Sequence, residues 1–344
     1  MRPNPVQKLQ ISQNFRSRMP DLRPAPLQIH QEGVPQLGQF VGAIAQPDVE
    51  VTGGKWRLKR WVYLSLLTET EFLALAIVQL GYAANLFAYV VDLQTGQMRQ
   101  TESLAPLGLG LQMAPGPLAG QSVWQRGQNR VAVTGNSSGW TLDVDLSLEG
   151  QNLKGQAQVT MGQPLSLVHR LAPNRLAYTL KDAGLPATLD LRLDGRQLGQ
   201  TGLACIDWTR SAARRTTKWN WASLATRLAD GRRLGLNASA HVYENAQGVG
   251  QENAIWLDGE LHALGNLQFT LPNQPLQQKW RLDGEGVQLE FTPQCARQQD
   301  VNLGLIRSRF IQPFGHFDGT VQVGQERLDV RHAFGVVEDH LALW

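Results

Sequence analysis

Strict alternation of apolar and polar residues is the feature that most constrains what this chain can fold into. In residues 140–148, Trp140 and every second residue after it are apolar, and the residues between them are polar. A β-strand points successive side chains to opposite faces, so this pattern predicts a strand with one buried and one solvated face. Residues 189–194 alternate in the same way. Helical periodicity is nearly absent, and glycine and proline interrupt residues 104–118, where no stable helix is expected.

Turn residues divide the alternating segments into hairpins. Asp-Gly tolerates the positive φ angles of a type I′ turn, whose twist matches that of paired strands. At least three such pairs lie between strand-like segments, and the sequence contains Asp-Gly at 194–195, 230–231, 258–259, 283–284 and 318–319. Three further apolar segments predict a meander of strands over 61–68, 72–79 and 86–93, which ends in a turn at 94–96. These signals together predict an all-β protein.

An internal sequence repeat indicates that one arrangement of strands occurs twice. A basic residue precedes an aromatic-x-aromatic strand start at 59–63 (KRWVY) and again at 217–221 (TKWNW), and further strand-like segments follow each start in the same order. This repeat predicts two tandem antiparallel barrels, or strongly curved sheets, of similar topology. We therefore expect an extended Pro- and Gln-rich N-terminal arm over 1–50, a first barrel-like domain over 51–195 and a second over 196–344.

Composition excludes several classes of protein. A net charge of +3 gives no argument for nucleic acid as a partner. Cys205 and Cys295 match no metal or redox spacing, and no cofactor motif occurs, so we expect neither a metal nor a cofactor. The N-terminus lacks the apolar region of a signal peptide, and no apolar run approaches the ~18 residues of a membrane span. These features predict a cytoplasmic protein and leave its oligomeric state open. The basic stretch 210–218 predicts a solvated loop, with an anionic head group or a carboxylate as the alternative partner.

Beside the segment 59–96, the second half contains an ordered set of short pieces, namely Asp207-Trp208, Trp219-Asn220-Trp221, Gly235-Leu236-Asn237, Glu252-Asn253, Phe291-Thr292-Pro293, residues 314–319, Gly335, Glu338-Asp339-His340 and Trp344. Together they resemble the bacterial domain-of-unknown-function 2804 family over about residues 20–344. The resemblance implies a calycin-like architecture of paired lipocalin-type barrels, similar to relatives of hydroxyneurosporene synthase, a carotenoid hydratase. The family usually has Asp before Gly-Tyr, where this chain has Gln79-Leu80. The family has no settled activity, so the resemblance bears on the fold more than on the function.

One candidate site combines two acids with tryptophans in the second half. An apolar wall raises the pKa of a carboxyl group, so a neutral Asp207 or Glu252 could donate a proton to an alkene or a leaving oxygen. Tryptophan faces would stabilise the positive charge that develops. The candidate ligand-binding residues are Trp208, Trp219, Trp221, Asn237, His241 and Asn253. The alternative is that both acids are buried partners of Arg210 or of backbone amides.

A second candidate cluster lies near the C-terminus and contains Glu338, His340 and Trp344. A histidine beside a carboxylate can act as a base or as a metal ligand. His332 shares strand parity with His340, which leaves a metal site of two histidines and a glutamate as an alternative to a polar network at the strand end. The G-x-S-x-G spelling at 135–139 lies between two strand-like segments and predicts a hairpin loop, because a nucleophile elbow requires a strand followed by a helix.

The sequence leaves three functions from different classes open. The first is binding of a hydrophobic small molecule, a lipid or an isoprenoid, in a barrel cavity. The second is a hydratase or isomerase of an apolar isoprenoid-like substrate that uses a buried carboxylic acid. The third is a structural or interaction protein whose barrels are packed solid. An enclosed apolar cavity of at least ~300 Å³ would argue against the third.

Overall fold

The computed structural model describes residues 22–49, 51, 54–302 and 307–344. Apart from one turn of 3₁₀ helix at Lys55–Arg57, the regular structure of these residues consists of strands. In chain order the strands are β1 (Arg23–Pro24), β2 (His30–Gln31), β3 (Val34–Pro35), β4 (Gly38–Val41), β5 (Leu58–Leu67), β6 (Glu71–Gln79), β7 (Ala83–Asp92), β8 (Met98–Pro106), β9 (Leu111–Gln112), β10 (Gly120–Arg126), β11 (Asn129–Asn136), β12 (Gly139–Leu148), β13 (Gln151–Thr160), β14 (Leu165–Ala172), β15 (Arg175–Leu193), β16 (Arg196–Gln197), β17 (Thr201–Ala212), β18 (Thr216–Arg227), β19 (Arg233–Ala240), β20 (Ala254–Leu257), β21 (Glu260–Ala263), β22 (Leu267–Thr270), β23 (Trp280–Gly284), β24 (Val287–Asn302), β25 (Arg307–Val323) and β26 (Glu326–Leu343). No helix in this described part of the chain is long and apolar enough to cross a membrane.

The long strands form two antiparallel sheets. The first sheet runs in the order β8-β7-β6-β5-β17-β15-β13-β12-β11-β10-β9, and the second in the order β21-β20-β19-β18-β26-β25-β24-β23-β22. In the first sheet β8 contacts β12 and β6 contacts β10, although these strands are far apart in the strand order. The sheet therefore curls towards itself. The predicted meander is present as β5, β6 and β7, and the predicted all-β class is confirmed.

The two sheets share a topology, as the internal sequence repeat predicts. In the first sheet β5 pairs with β17, the last strand of that sheet along the chain. In the second sheet β18 pairs with β26, the last strand of the chain. The two aromatic-x-aromatic segments lie near the starts of β5 and β18. In each repeat, the first strand therefore pairs with the last strand.

Three of the Asp-Gly pairs form hairpin turns, as expected. Both residues have positive φ at Asp194-Gly195 (48° and 79°) and at Asp258-Gly259 (52° and 90°), which is the backbone conformation of a type I′ turn. Asp230-Gly231 joins β18 to β19. The predicted hairpin loop at 135–139 joins β11 to β12, and Asn136 pairs with Gly139 across it.

The change from the first sheet to the second lies between Ala212 and Thr216, and not at the expected boundary of 195 and 196. The turn at Asp194-Gly195 closes the short hairpin of β15 and β16, and β17 then pairs with β5 and β15 inside the first sheet. A strong turn signal marks a hairpin, but it does not distinguish a turn within a sheet from a junction between sheets.

Part of the expected N-terminal arm belongs to the first sheet. Residues 1–21 and 50 lie outside the described residues. Within 22–49, β4 pairs with β14, and Phe40 and Ile44 are buried in the first hydrophobic core. The side-chain amide of Gln39 donates to the carbonyl of Gln251 in the second half, at 2.8 Å. The arm therefore ties the two halves together.

Three clusters of buried side chains determine where a cavity can form. The first sheet surrounds a core that includes Trp124, Trp140 and Trp208, and the second surrounds one that includes Trp280, Phe291 and Phe317. A third cluster joins the sheets, and its aromatic members are Tyr63, Phe72, Tyr89, Trp221, Phe314 and Phe334. Side chains therefore fill the interiors of both sheets and part of the space between them.

Candidate functional site

A cavity of about 490 Å³ lies between the two sheets and takes its walls from both. The first-sheet wall is built around one row of cross-strand partners. Side chains of directly paired residues project to the same face of a sheet, so the row forms a continuous surface. In order across β15, β17, β5, β6, β7 and β8, its members are Lys181, Asp207, Tyr63, Ala76, Phe87 and Glu102.

Two neighbouring rows of the second sheet form the opposing wall. The first row crosses β18, β26, β25 and β24 through Trp219, His340, Phe310 and Gln299. The second contains Trp221, Glu338, Gln312 and Arg297. All eight side chains line the cavity. The aromatic-x-aromatic segment of β18 thus places both of its tryptophans in this wall, because residues two apart on a strand share a face.

A buried ion cluster occupies one end of the first-sheet row. Lys181 Nζ lies 2.6 Å from Asp207 Oδ2 and 3.6 Å from Glu252 Oε2. Burial alone would lower the pKa of Lys181, but the two carboxylates outweigh burial and raise it above its ordinary value. Burial raises the pKa of Glu252, and the negative charge of Asp207 adds to this against the opposing effect of Lys181.

The two acids of this cluster have different surroundings. Asp207 Oδ1 accepts a hydrogen bond from Thr209 Oγ1 at 3.0 Å, and its other oxygen contacts the ammonium of Lys181. Glu252 Oε2 is buried and has no hydrogen-bond partner among the described residues. Burial, together with both carboxylates, also raises the pKa of the Tyr243 phenol well above its ordinary value. Asp207 is therefore suited to be the anion of the ion pair, whereas Glu252 is suited to hold a proton.

A second ion pair closes the opposite end of the row. Arg297 Nη2 donates to Glu102 Oε2 at 2.9 Å and so joins β24 of the second sheet to β8 of the first. The guanidinium lies over the rings of Phe87 and Phe310, 4.1 and 4.8 Å from their centroids. Gln299 donates to Glu102 Oε1 at 2.6 Å. The cavity therefore has charged groups at both ends of an aromatic middle section.

The predicted C-terminal cluster lies in the second-sheet wall. Glu338 Oε1 accepts from Trp219 Nε1, and Glu338 Oε2 accepts from Gln312 Nε2, both at 2.8 Å. His340 lies with Nδ1 3.4 Å from Glu338 Oε1, and its ring centroid is 4.1 Å from that of Trp219. The ring of Trp344 stacks on the ring of Trp219, at a centroid distance of 6.5 Å. The structure thus brings both predicted clusters to a single cavity.

Trp208 lies away from this cavity, although its place in the sequence suggested a role in ligand binding. It follows Asp207 on β17 and therefore projects from the opposite face of the strand. Its ring is 1% exposed and lies in the first core, 5.8 Å from the ring of Tyr178. Arg210, the expected partner of Asp207, forms an ion pair with Asp48 at 2.9 Å instead.

The two asparagines of the candidate site position other residues and do not line the cavity. Asn237 accepts from Trp221 Nε1 at 2.8 Å and donates to the carbonyl of Glu252 at 2.7 Å. Asn253 accepts from the amide of Ser239 at 2.7 Å and donates to the carbonyl of Gly265. His241 lines the mouth of the cavity, with half of its side chain exposed.

The metal alternative finds no support in the arrangement of the histidines. His332 stacks on His316 at a centroid distance of 3.6 Å, whereas His340 packs against Trp219 and Phe310. Among the described residues, no group of three or more His, Cys, Asp or Glu side chains is placed to hold a metal ion.

Sequence patterns alone missed residues that complete both clusters. Lys181 lies in the buried first part of β15, and a buried lysine requires an anionic partner. That signal could have pointed to the ion cluster. Tyr243 and Ser308 carry no comparable signal, because tyrosine and serine occur in every kind of strand and loop.

These features define an all-β protein of two curled sheets with a cavity, lined by aromatic and titratable side chains, between them. Residues 32–344 match the model of a family described as a domain of unknown function (DUF2804), and the chain belongs to this family. No curated protein matches this chain.

Three solved structures resemble the fold at low identity. A proposed AttH of Nitrosomonas europaea is 14% identical, with a TM-score of 0.49, over 82% of this chain and 92% of that one. Kievitone hydratase of Nectria haematococca is 12% identical, with a TM-score of 0.43, over 92% and 97% of the two chains. CghA with Sch210972 is 10% identical, with a TM-score of 0.44, over 83% and 88%.

Proposed function

We propose that this protein binds an apolar small molecule of the lipid or isoprenoid class in the cavity between its sheets. The observation that carries the proposal is the cavity itself. Its volume of about 490 Å³ falls within the range of ~300–1,000 Å³ that is typical of small-molecule sites. Aromatic side chains dominate its middle section, and they include Tyr63, Phe87, Trp219, Trp221 and Phe310.

The position of the cavity refines the expectation from sequence and argues against a solid-packed structural protein. The ligand site was expected inside one barrel, but large side chains such as Trp124 and Trp280 fill the interiors of the two sheets. The space for a ligand therefore lies where the two repeats face each other. A protein with a purely structural role would gain stability by filling such a space. A cytoplasmic location stays a prediction from the sequence.

Binding of a neutral apolar dye tests this proposal. N-phenylnaphthylamine becomes fluorescent in apolar surroundings, and we expect saturable binding to the wild-type protein. Ala76→Phe adds a ring to the cavity wall and should weaken binding about tenfold or more. Thr141→Phe adds the same ring to a half-buried position outside the cavity and should leave binding unchanged. Equal binding by both variants would contradict the proposal, provided that thermal melts show both to be folded.

Acid catalysis on the bound molecule is the second candidate function, and the surroundings of Glu252 favour it. A buried carboxyl group with a raised pKa, one of whose oxygens accepts no hydrogen bond, can give a proton to an alkene or a leaving oxygen in an apolar site. The ring of Trp221, which lines the same cavity, would stabilise the cation that results. This arrangement suits a hydratase or an isomerase, with Glu252 as the acid and Asp207 as the counterion of Lys181.

Ligand that co-purifies with the protein tests this second function. Native mass spectrometry followed by extraction would identify what the wild-type protein and the Glu252→Gln variant carry. If Glu252 is the acid of a hydratase, the variant retains a molecule lighter by one water than the molecule bound to the wild type. If it is the acid of an isomerase, the two molecules have equal mass but different chromatographic retention. Identical molecules in both proteins would limit the function to binding.

A further inference from the structure

Ser308 completes an arrangement of three side chains in the second-sheet wall. Ser308 Oγ lies 2.9 Å from His340 Nε2, and His340 Nδ1 lies 3.4 Å from Glu338 Oε1. His340 Nε2 is therefore within hydrogen-bond distance of the Ser308 hydroxyl, whereas Nδ1 lies beside the Glu338 carboxylate and makes no hydrogen bond within the described residues. All three side chains line the cavity. This order, with an imidazole between a hydroxyl and a carboxylate, is the one found in activated serine nucleophiles.

Strand pairing explains why these residues meet. Glu338 and His340 are two residues apart on β26 and so project to the same face. On β25, Phe310 pairs directly with His340, and Ser308 pairs with Ala342. Ser308 is therefore the diagonal neighbour of His340, within reach of a long side chain on the same face. A serine 30 residues before the Glu-x-His segment is brought to it by the β25–β26 hairpin.

Contacts around the three residues fix the carboxylate of Glu338 beside the imidazole of His340. Trp219 Nε1 and Gln312 Nε2 donate to the two carboxylate oxygens of Glu338 and so fix the position of this side chain. A carboxylate beside Nδ1 favours the tautomer with the proton on Nδ1, and this leaves the Nε2 lone pair to accept from Ser308. The ring of Trp219 covers one face of the imidazole at 4.1 Å.

We propose that Ser308, His340 and Glu338 form a catalytic triad that hydrolyses esters of apolar carboxylic acids or alcohols. The inference rests on the proposed cavity function, because the apolar part of the ester would occupy the aromatic middle section. Ser308 Oγ attacks the carbonyl carbon while its proton passes to His340 Nε2. The ester C–O bond then breaks, and the departing alcohol takes that proton.

Water completes the reaction. It attacks the acyl group on Ser308 and gives its proton to His340 Nε2. The bond between Ser308 Oγ and the acyl carbon breaks, and the proton returns to Oγ, so the products are one acid and one alcohol.

Covalent labelling with an alkyl fluorophosphonate tests the triad without knowledge of the natural ester. In this reaction Ser308 Oγ forms a bond to phosphorus, fluoride leaves, and His340 takes the hydroxyl proton. We expect one label per chain, located on Ser308 by peptide mass spectrometry. Ser308→Ala and His340→Ala should abolish labelling, and Glu338→Gln should slow it by about tenfold or more.

A matched control and a binding measurement separate the possible failures. Ser223→Ala makes the same change at a buried serine on β18 that does not line the cavity, and it should label at the wild-type rate. Thermal melts and N-phenylnaphthylamine binding would show that each variant keeps its fold and cavity. If the wild-type protein binds the dye but takes no label, or if the label persists in Ser308→Ala, the triad is refuted and the binding function stands. If the protein neither binds the dye nor takes the label, both proposals fail.

Discussion

Replacement of Lys181 by methionine is the most direct test of the buried ion cluster. The ammonium lies 2.6 Å from Asp207 Oδ2 and 3.6 Å from Glu252 Oε2, and the lysine side chain is 3% exposed. At an effective dielectric constant of about 20, these distances correspond to attractions of about 6 and 5 kcal/mol. The second attraction is present only when Glu252 is ionised, and desolvation of the charged groups offsets much of the gain. Loss of one partner from a buried ion pair costs about 3–5 kcal/mol, and we expect a loss of that size for Lys181→Met near pH 8.

The loss should depend on pH, with a sign that follows from the carboxyl groups. Without the ammonium, the already raised pKa of Glu252 should rise further, because Lys181 is the group that lowers it. A carboxyl group whose pKa is higher in the folded than in the unfolded state loses stability as the pH rises between the two values. Lys181→Met should therefore be least destabilising near pH 4 and most destabilising near pH 8.

Urea unfolding followed by tryptophan fluorescence would measure this loss at both pH values. Lys154→Met is the matched control, because Lys154 lies 3.0 Å from Asp145 but the two side chains are 68% and 40% exposed. Exposed pairs contribute about 0–1 kcal/mol, so this variant should stay close to the wild type. A Lys181→Met protein within about 1 kcal/mol of the wild type at both pH values would refute the role assigned to the cluster.

Three further predictions concern other parts of the molecule. Glu252→Gln should gain stability relative to the wild type as the pH rises above about 4.5, because burial raises the pKa of Glu252 and its ionisation costs stability. Urea unfolding near pH 5 and pH 8 would measure the difference in stability between the two proteins, and an equal difference at both pH values would contradict this prediction. Arg297→Ala should lower the free energy of unfolding by about 2–4 kcal/mol, since it removes the partner of Glu102 and two ring contacts, and a thermal melt equal to that of the wild type would contradict this. Trp208→Ala should lower the free energy of unfolding in urea by about 3–5 kcal/mol but leave the dissociation constant of N-phenylnaphthylamine unchanged. Weaker dye binding by the folded variant would show that Trp208 contributes to the ligand site.

The candidate site could be predicted in part. Asp207, Glu252, Trp219 and Trp221 drew attention because acids and tryptophans are costly to place without partners. The expectation that Trp208 belongs to the same site is wrong, because Asp207 faces the cavity and Trp208 faces the first core. Alternation predicts that Asp207 and Trp208 point in opposite directions, but it does not say which direction holds a ligand.

Sequence by itself determined the elements of this protein. Alternation identified strands such as β12, Asp-Gly pairs identified hairpins, and the repeated aromatic-x-aromatic starts identified two sheets of one topology. Each of these signals is local, because side-chain period and turn conformation depend on a few neighbouring residues.

Tertiary structure decided where function can reside. Lys181 meets Glu252, and Ser308 meets His340, through pairings between strands and contacts between sheets that no local pattern encodes. The cavity likewise depends on how large side chains fill the two sheet interiors and leave space between the repeats. Such contacts follow from register and packing across the whole chain, which a short stretch of sequence does not specify.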